Sequence, residues 1–407
     1  MKSNQNKLGL YIRIVIAACL LYAISAGLRS IYGIMLGTIS EETGIAYDTV
    51  SLAIAVGQLV FGIAQPTFGV VALKKSNSFV LSLGCILIAV GLVMIPFCTA
   101  GWMLLLFLGI ILPVGTGAVS FGIIMGAISP KLGATRAATA SGFVNASSGV
   151  GSIIFSPLVQ SLFSSVGLKA TMLIISSLTM ILIPISLWIG KTNKTECTIV
   201  NNQTNSGTFL TILKQAVSNK NYLFLLLGFF TCGFHMAIIE THLYSQFMSY
   251  GMADSLAAIA FSVYGISTVF GSLISGFLSG RFRMKYVLSL LYGSRVFIIL
   301  AFLLLPKTAY IMFAFMGLLG LTAAATVIPT SGLVSKLFGA ENLGVLFGVV
   351  FLFHQIGSFF SAWLGGKFVV VTGSYIVIWG VSAMLSFCAM IASFCISEQN
   401  NLPTANK

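Results

Sequence analysis

Runs of roughly twenty apolar residues succeed one another along the chain, separated by short polar breaks. This is the length an α-helix needs to cross about 30 Å of hydrocarbon. The pattern predicts twelve spans, at 10–37, 49–73, 79–98, 102–127, 137–163, 168–190, 221–248, 255–279, 286–305, 309–334, 342–369 and 374–396. Short alternating segments, the mark of a membrane β-barrel, are absent. The first run follows Lys2 and Lys7 but is too long for a signal-peptide core and lacks a small-residue cleavage site, so it reads as a resident helix.

The same pattern is written twice. Gly27-Leu28-Arg29 in the first span is answered by Gly233-Phe234-His235 in the seventh, and the offset of about 206 residues also carries Gly142 to Gly348 and Gly151-Ser152 to Gly357-Ser358. The expected fold is therefore an all-α membrane protein of twelve transmembrane helices in two pseudo-symmetric six-helix bundles. The bundles are 1–190 and 221–397, joined by a polar linker at 191–220 and followed by a tail at 398–407. Parallel repeats of this kind build many secondary transporters, which hold substrate near mid-membrane.

Composition agrees: 57% of the 407 residues are hydrophobic and 7% charged, with mean hydropathy +1.04, too apolar for a soluble core to hide. Of the 21 basic residues, Lys169, Lys307 and Lys367 fall on one side of the spans, Arg29 and Arg295 fall inside them, and the remainder lie on the side of the N-terminus. Positive loops face the cytoplasm, so both termini are expected there, in the cytoplasmic (inner) membrane of a bacterium. The net charge of +13 is then mostly topology and gives no case for nucleic acid. The linker sequons at Asn193 and Asn202 would stay unmodified on that side. The seven cysteines show no disulfide or zinc spacing, and no Walker loop, dinucleotide fingerprint or metal cluster points to an enzyme or a cofactor. Transport energy must then come from a gradient.

Ionisable groups within the spans are few, and each costs several kcal/mol in hydrocarbon unless it meets water or a partner. They are Arg29, His235, Glu240, His242, Arg295 and His354. Arg29 offers a guanidinium fork to an anionic substrate group, or alternatively forms a packing salt bridge, with Glu240 as one partner, or snorkels outward. Glu240, the one acid inside a span, is the first candidate proton carrier, with His235 and His242 as the other proton-coupling candidates. His235 matches Arg29 by symmetry, and regular helical spacing puts it on one stripe with His242 but not with Glu240. Tyr32 and Asn145 are possible hydrogen-bonding neighbours of a substrate, and His354 a cavity histidine. Arg295 reads as a structural pairing. Pro113, Pro157, Pro184 and Pro329 lie inside spans and allow bending.

These residues carry a resemblance. Gly27-Leu28-Arg29-Ser30-Ile31-Tyr32-Gly33, Gln65-Pro66-Thr67-Phe68-Gly69, Gly233-Phe234-His235-Met236-Ala237, Thr241-His242-Leu243 and His354-Gln355-Ile356-Gly357-Ser358 resemble the major facilitator superfamily, and within it the bacterial monocarboxylate porter group. The resemblance implies alternating access by two six-helix halves, with a small organic anion moved together with a proton or exchanged for another anion; a monomer in the lipid bilayer is expected. Two features depart from the pattern. The loops after Gly69 and Gly276 lack the superfamily's acid, and span eight has no basic residue, which leaves anion binding to Arg29, His235 and His354. An exporter of amphipathic drugs or siderophores, and a non-transporting sensor on the same fold, are the competing expectations.

Overall fold

With lipid on every side, a backbone must satisfy its own polar groups, and an apolar chain does so as helices. The computed structural model describes residues 2–132, 134–190, 206–339 and 342–398, and all regular structure among them is helical. The linker residues Asn193, Cys197 and Asn202 lie outside these residues. In chain order the helices are α1 (Lys2–Ser30), α2 (Tyr32–Thr43), α3 (Tyr47–Lys74), α4 (Asn77–Met94), α5 (Gly101–Leu106), α6 (Leu112–Ala118), α7 (Phe121–Leu132), α8 (Ala134–Gly190) and α9 (Ser206–Val217). They continue as α10 (Lys220–Ile238), α11 (Tyr244–Ser249), α12 (Asp254–Arg281), α13 (Met284–Leu304), α14 (Ala309–Ala323), α15 (Val327–Phe338), α16 (Leu343–Thr372) and α17 (Ile376–Phe394). Part of the polar linker is thus helical: α9 lays Ile212 and Ala216 against the core beside Tyr222.

Among the described residues eleven stretches are long and apolar enough to cross a membrane, and one of them, Ala140–Gly190, is interrupted at Gly167 (φ 74°, ψ 177°), which gives the expected twelve. A side chain would be strained at that φ. The first N–H of the following helix, at Leu168, donates to the Glu42 carboxylate at 3.0 Å.

Four spans are broken, in matched pairs. The first breaks at Ile31 between α1 and α2, and the seventh widens into a π-turn at Ile239–Leu243 between α10 and α11. The fourth carries a π-turn at Phe107–Ile111 and ends α6 at Val119, while the tenth passes through a 3₁₀ turn at Ala324–Thr326. Each break frees carbonyls that need donors. Arg295 of α13, fully buried, donates from Nη2 to the tenth span's carbonyls of Thr322 (2.6 Å) and Ala323 (3.0 Å). Pro329 has no N–H for the carbonyl of Ala325, and the Ser275 hydroxyl donates there at 2.6 Å. The cation also meets the negative end of the α14 dipole. Arg295 is therefore the structural group its position in the sequence suggested.

Packing divides the described residues into two compact units: those up to Gly190 with Ile239–Gly265, and those of 206–238 with Ile266 onward. The units do not follow the repeat boundary here, because the far end of the seventh span and the first half of the eighth pack with the first unit. Within each unit the repeated glycines mark a helix crossing. A Cβ at Gly151 would overlap the carbonyl oxygen of Ala23 beside Gly27 on α1, and one at Gly357 would overlap that of Phe230 beside Phe234 on α10. Only glycine lets these backbones meet.

At one end of the second unit Glu398 binds the backbone N–H of Lys285 (3.0 Å) and the ammonium of Lys336 (2.7 Å). The loop between α12 and α13 lacks an acid of its own, and this carboxylate from beyond α17 supplies one. Burial raises the Glu398 pKa, but the Lys285 N–H, Lys336 and the charge of Arg283 outweigh it and hold the carboxyl below the usual carboxylate range.

Gly151→Ala and Gly357→Ala should each cost about 1–3 kcal/mol through overpacking. Gly142→Ala, where a Cβ meets nothing within 4 Å, should stay within about 0.5 kcal/mol in the same detergent melts. Glu398→Gln should cost about 1 kcal/mol at neutral pH. Because the folded-state pKa is depressed, that contribution is full above the ordinary carboxylate range and fades as pH falls through it; melting curves of both proteins should then converge.

Candidate functional site

The helix break at Ile31 comes two residues after Arg29, so the guanidinium sits in the last turn of α1, where the helix dipole favours a cation. Its Nη2 donates to Gln58 Oε1 of α3 at 3.1 Å, and its carbon lies 3.8 Å from the centre of the Phe61 ring one turn further along. Gln58 is buried, and neither its Nε2 nor Arg29 Nε has a hydrogen-bond partner among the described residues. Amide and ring orient the fork without neutralising it. The one ion pair among the described residues is Lys336–Glu398, so the salt bridge to Glu240 offered as an alternative for Arg29 is not formed.

Glu240 nevertheless belongs to the same unit and lies within electrostatic reach of Arg29, as do Tyr22 and the buried Tyr32. The route is a close backbone approach: a Cβ at Gly33 of α2 would come within 3.0 Å of the Glu240 carbonyl oxygen and 3.2 Å of that of Thr241. Glu240 is half-buried, in the π-turn. Arg29, Tyr32 and Glu240 are thus brought together, on two spans that are both broken there.

Asn145 is exposed on α8. It shares a helix stripe with Gly149 and Ser152, next to which the Ile153 carbonyl accepts from Ser262 at 2.9 Å and the Gly149 carbonyl approaches Gly265.

His235 and His242 do not share a stripe as regular spacing implied. His242 is buried and bonds Tyr47 Oη through Nδ1 at 3.1 Å in the first unit, whereas His235 is buried in the second, with Nδ1 3.0 Å from Ser382 Oγ and its ring edge-on to Trp379. His242 lies inside the π-turn, which turns less per residue than an α-helix, so its direction departs from that of regular spacing. His235 Nε2 has no hydrogen-bond partner among the described residues. His354 is buried on α16, stacked on Phe351 (interplanar angle 2°) and beside Phe229.

Sequence reasoning missed Phe61 and Tyr47, and also a polar chain. Tyr244 Oη donates to Gln160 Oε1 at 2.6 Å, and Gln160 Nε2 donates to Asp254 Oδ2 at 3.2 Å. Gln160 in an apolar helix was the available signal, since an amide there needs partners.

A family model described as Major Facilitator Superfamily matches residues 18–362 and 243–406. The uncharacterized MFS-type transporter YcxA of Bacillus subtilis is 28% identical over 156 residues, which span 37% of this chain and 38% of that protein. Monocarboxylate transporter 12 of Homo sapiens is 23% identical over 342 residues, 77% of this chain and 66% of that protein. Among solved structures, the nucleoside transporter NupG superposes with a TM-score of 0.78 at 16% identity, covering 95% of this chain and 100% of NupG, and so shows the same fold.

Tyr244→Phe should lose about 1 kcal/mol of stability by orphaning the buried Gln160 carbonyl. In a double-mutant cycle with Gln160→Leu, measured by detergent melting, the two losses should fall short of additive.

Proposed function

Since the chain belongs to the Major Facilitator Superfamily, and is a multi-pass membrane transporter of that superfamily, we propose that it moves a small organic anion, a monocarboxylate, together with a proton by alternating access. The observation that carries this reading is Arg29: a guanidinium inside the membrane, oriented by Gln58 and Phe61 and without a carboxylate partner among the described residues. An uncompensated cation there costs several kcal/mol, which an incoming carboxylate would offset through bidentate hydrogen bonds. The likeness to a protein named as a monocarboxylate transporter supports the same substrate class.

In this proposal Tyr32 and Asn145 are hydrogen-bonding neighbours of the anion, and His235 and His354 are the second bundle's contribution to it. Glu240 takes the proton, His235 is the alternative acceptor, and His242 tunes the outer end of the same span. Glu240 suits the task because its half-buried carboxyl lies in the field of Arg29 without being paired to it. A monoanion and one proton carry no net charge together, so transport should follow the pH gradient and ignore membrane potential. The excess of basic residues in the loops on the side of the N-terminus supports both termini in the cytoplasm of a bacterial cell.

An exporter of amphipathic compounds is the reading this arrangement competes with. It would leave Arg29 dispensable, and a sensor would bind without net flux. In proteoliposomes, Arg29→Gln should raise the KM for a carboxylate about 10- to 100-fold. Glu240→Gln should abolish accumulation driven by a pH gradient while sparing anion exchange. Thermal stabilisation of the wild type by organic cations alone, or uptake indifferent to Arg29→Gln, would refute the anion proposal.

A further inference from the structure

The second unit carries two cavities that adjoin at Lys285 and Tyr286. One, of about 400 Å³, is lined by Arg283, Lys285, Lys336, Ser397 and Glu398. Its three cations face a single carboxylate. Glu398 is engaged by Lys336 and the Lys285 N–H, so the cavity keeps a positive excess.

The other, of about 410 Å³, is an apolar groove between α13 and α17, with Tyr286, Leu290, Gly293 and Phe297 on successive turns of α13 and with Met390 and Phe394 opposite. Leu290 (65% exposed), Phe297 (74%) and Phe394 (57%) open outward, and a Cβ at Gly293 would come within 2.9 Å of Met390 Sδ, which makes that glycine the floor. Lys285 joins the two: its ammonium donates to the Phe394 carbonyl at 3.2 Å and lies 5.1 Å from the Tyr286 ring and 5.6 Å from the Phe394 ring.

From Tyr286 to Phe297 the groove runs about 16 Å along the helix, close to one leaflet of a bilayer of about 30 Å. A basic head cavity continuous with an apolar slot one leaflet deep is complementary to one kind of molecule. We propose that this site binds an anionic phospholipid, its phosphate among Arg283, Lys285 and Lys336 and one acyl chain along α13 and α17. A free phosphate ester would use the basic cavity and ignore the groove. The proposal is independent of the transported substrate and of Arg29.

The test is native mass spectrometry of the full chain with phosphatidylglycerol, phosphatidylcholine, and glycerol phosphate as the head without chains. One phosphatidylglycerol per chain should be retained in preference to phosphatidylcholine. Arg283→Gln removes an exposed cation that makes no hydrogen bond to the clasp, so it should fold, and it should weaken retention about five-fold. Adding Lys336→Gln should weaken it further, and Ser294→Phe, which fills the groove, should weaken lipid without changing glycerol phosphate binding. Melting in neutral detergent identifies any variant that fails to fold, and Arg283→Gln then carries the result. Equal retention of the two lipids, or phosphatidylglycerol binding unchanged by Arg283→Gln and Ser294→Phe, would overturn the site. Glycerol phosphate binding as tightly as the lipid would assign the cavity to a free phosphate ester instead.

Discussion

A cation carried into hydrocarbon must be met by lone pairs or opposite charge, and this chain treats its two intramembrane arginines in opposite ways. Arg295 is closed in by carbonyls that a helix break has released, and it joins α13 to the tenth span. Arg29 receives one amide oxygen and the face of one ring, which set its direction and leave its charge open. Full burial strengthens the contacts of Arg295, because no solvent competes for its guanidinium, whereas Arg29 is only half-buried. The first therefore acts as a staple, and the second keeps its charge without an ion pair among the described residues.

The breaks that serve these cations recur in both repeats. A span that is straight in lipid has no backbone group to offer, whereas an interrupted one presents carbonyls, N–H groups and a dipole end at mid-membrane. The π-turn at Ile239–Leu243 does two things together. It brings Glu240 against α2 at Gly33, and it turns His242 away from the face of His235. The glycine crossings at Gly151 and Gly357 supply the rigid contacts around which such breaks are tolerated, since backbone-to-backbone packing leaves no side chain to yield.

Outside the hydrocarbon the same scarcity of acids organises the second unit. Glu398 gathers Lys285 and Lys336 and so ties α13 and α15 to the segment after α17, in a loop whose own sequence holds no carboxylate. Local sequence motifs do not reveal a counter-charge delivered from more than sixty residues away in the chain.

Twelve spans, the duplication and the short roster of intramembrane ionisable groups were legible from the letters alone, because lipid imposes one length and one polarity rule on every helix. The repeat even marked Gly151 and Gly357 as equivalent before any contact was known. Which face each polar group takes was not legible. Regular spacing placed His235 and His242 together, and a single wide turn separated them; the same spacing gave no hint that Phe61 would lie under Arg29 or that Tyr244 and Asp254 would meet at Gln160. Periodicity assumes an unbroken helix, and Arg29, Glu240 and His242 stand at or beside helix breaks, so only tertiary packing decided their partners.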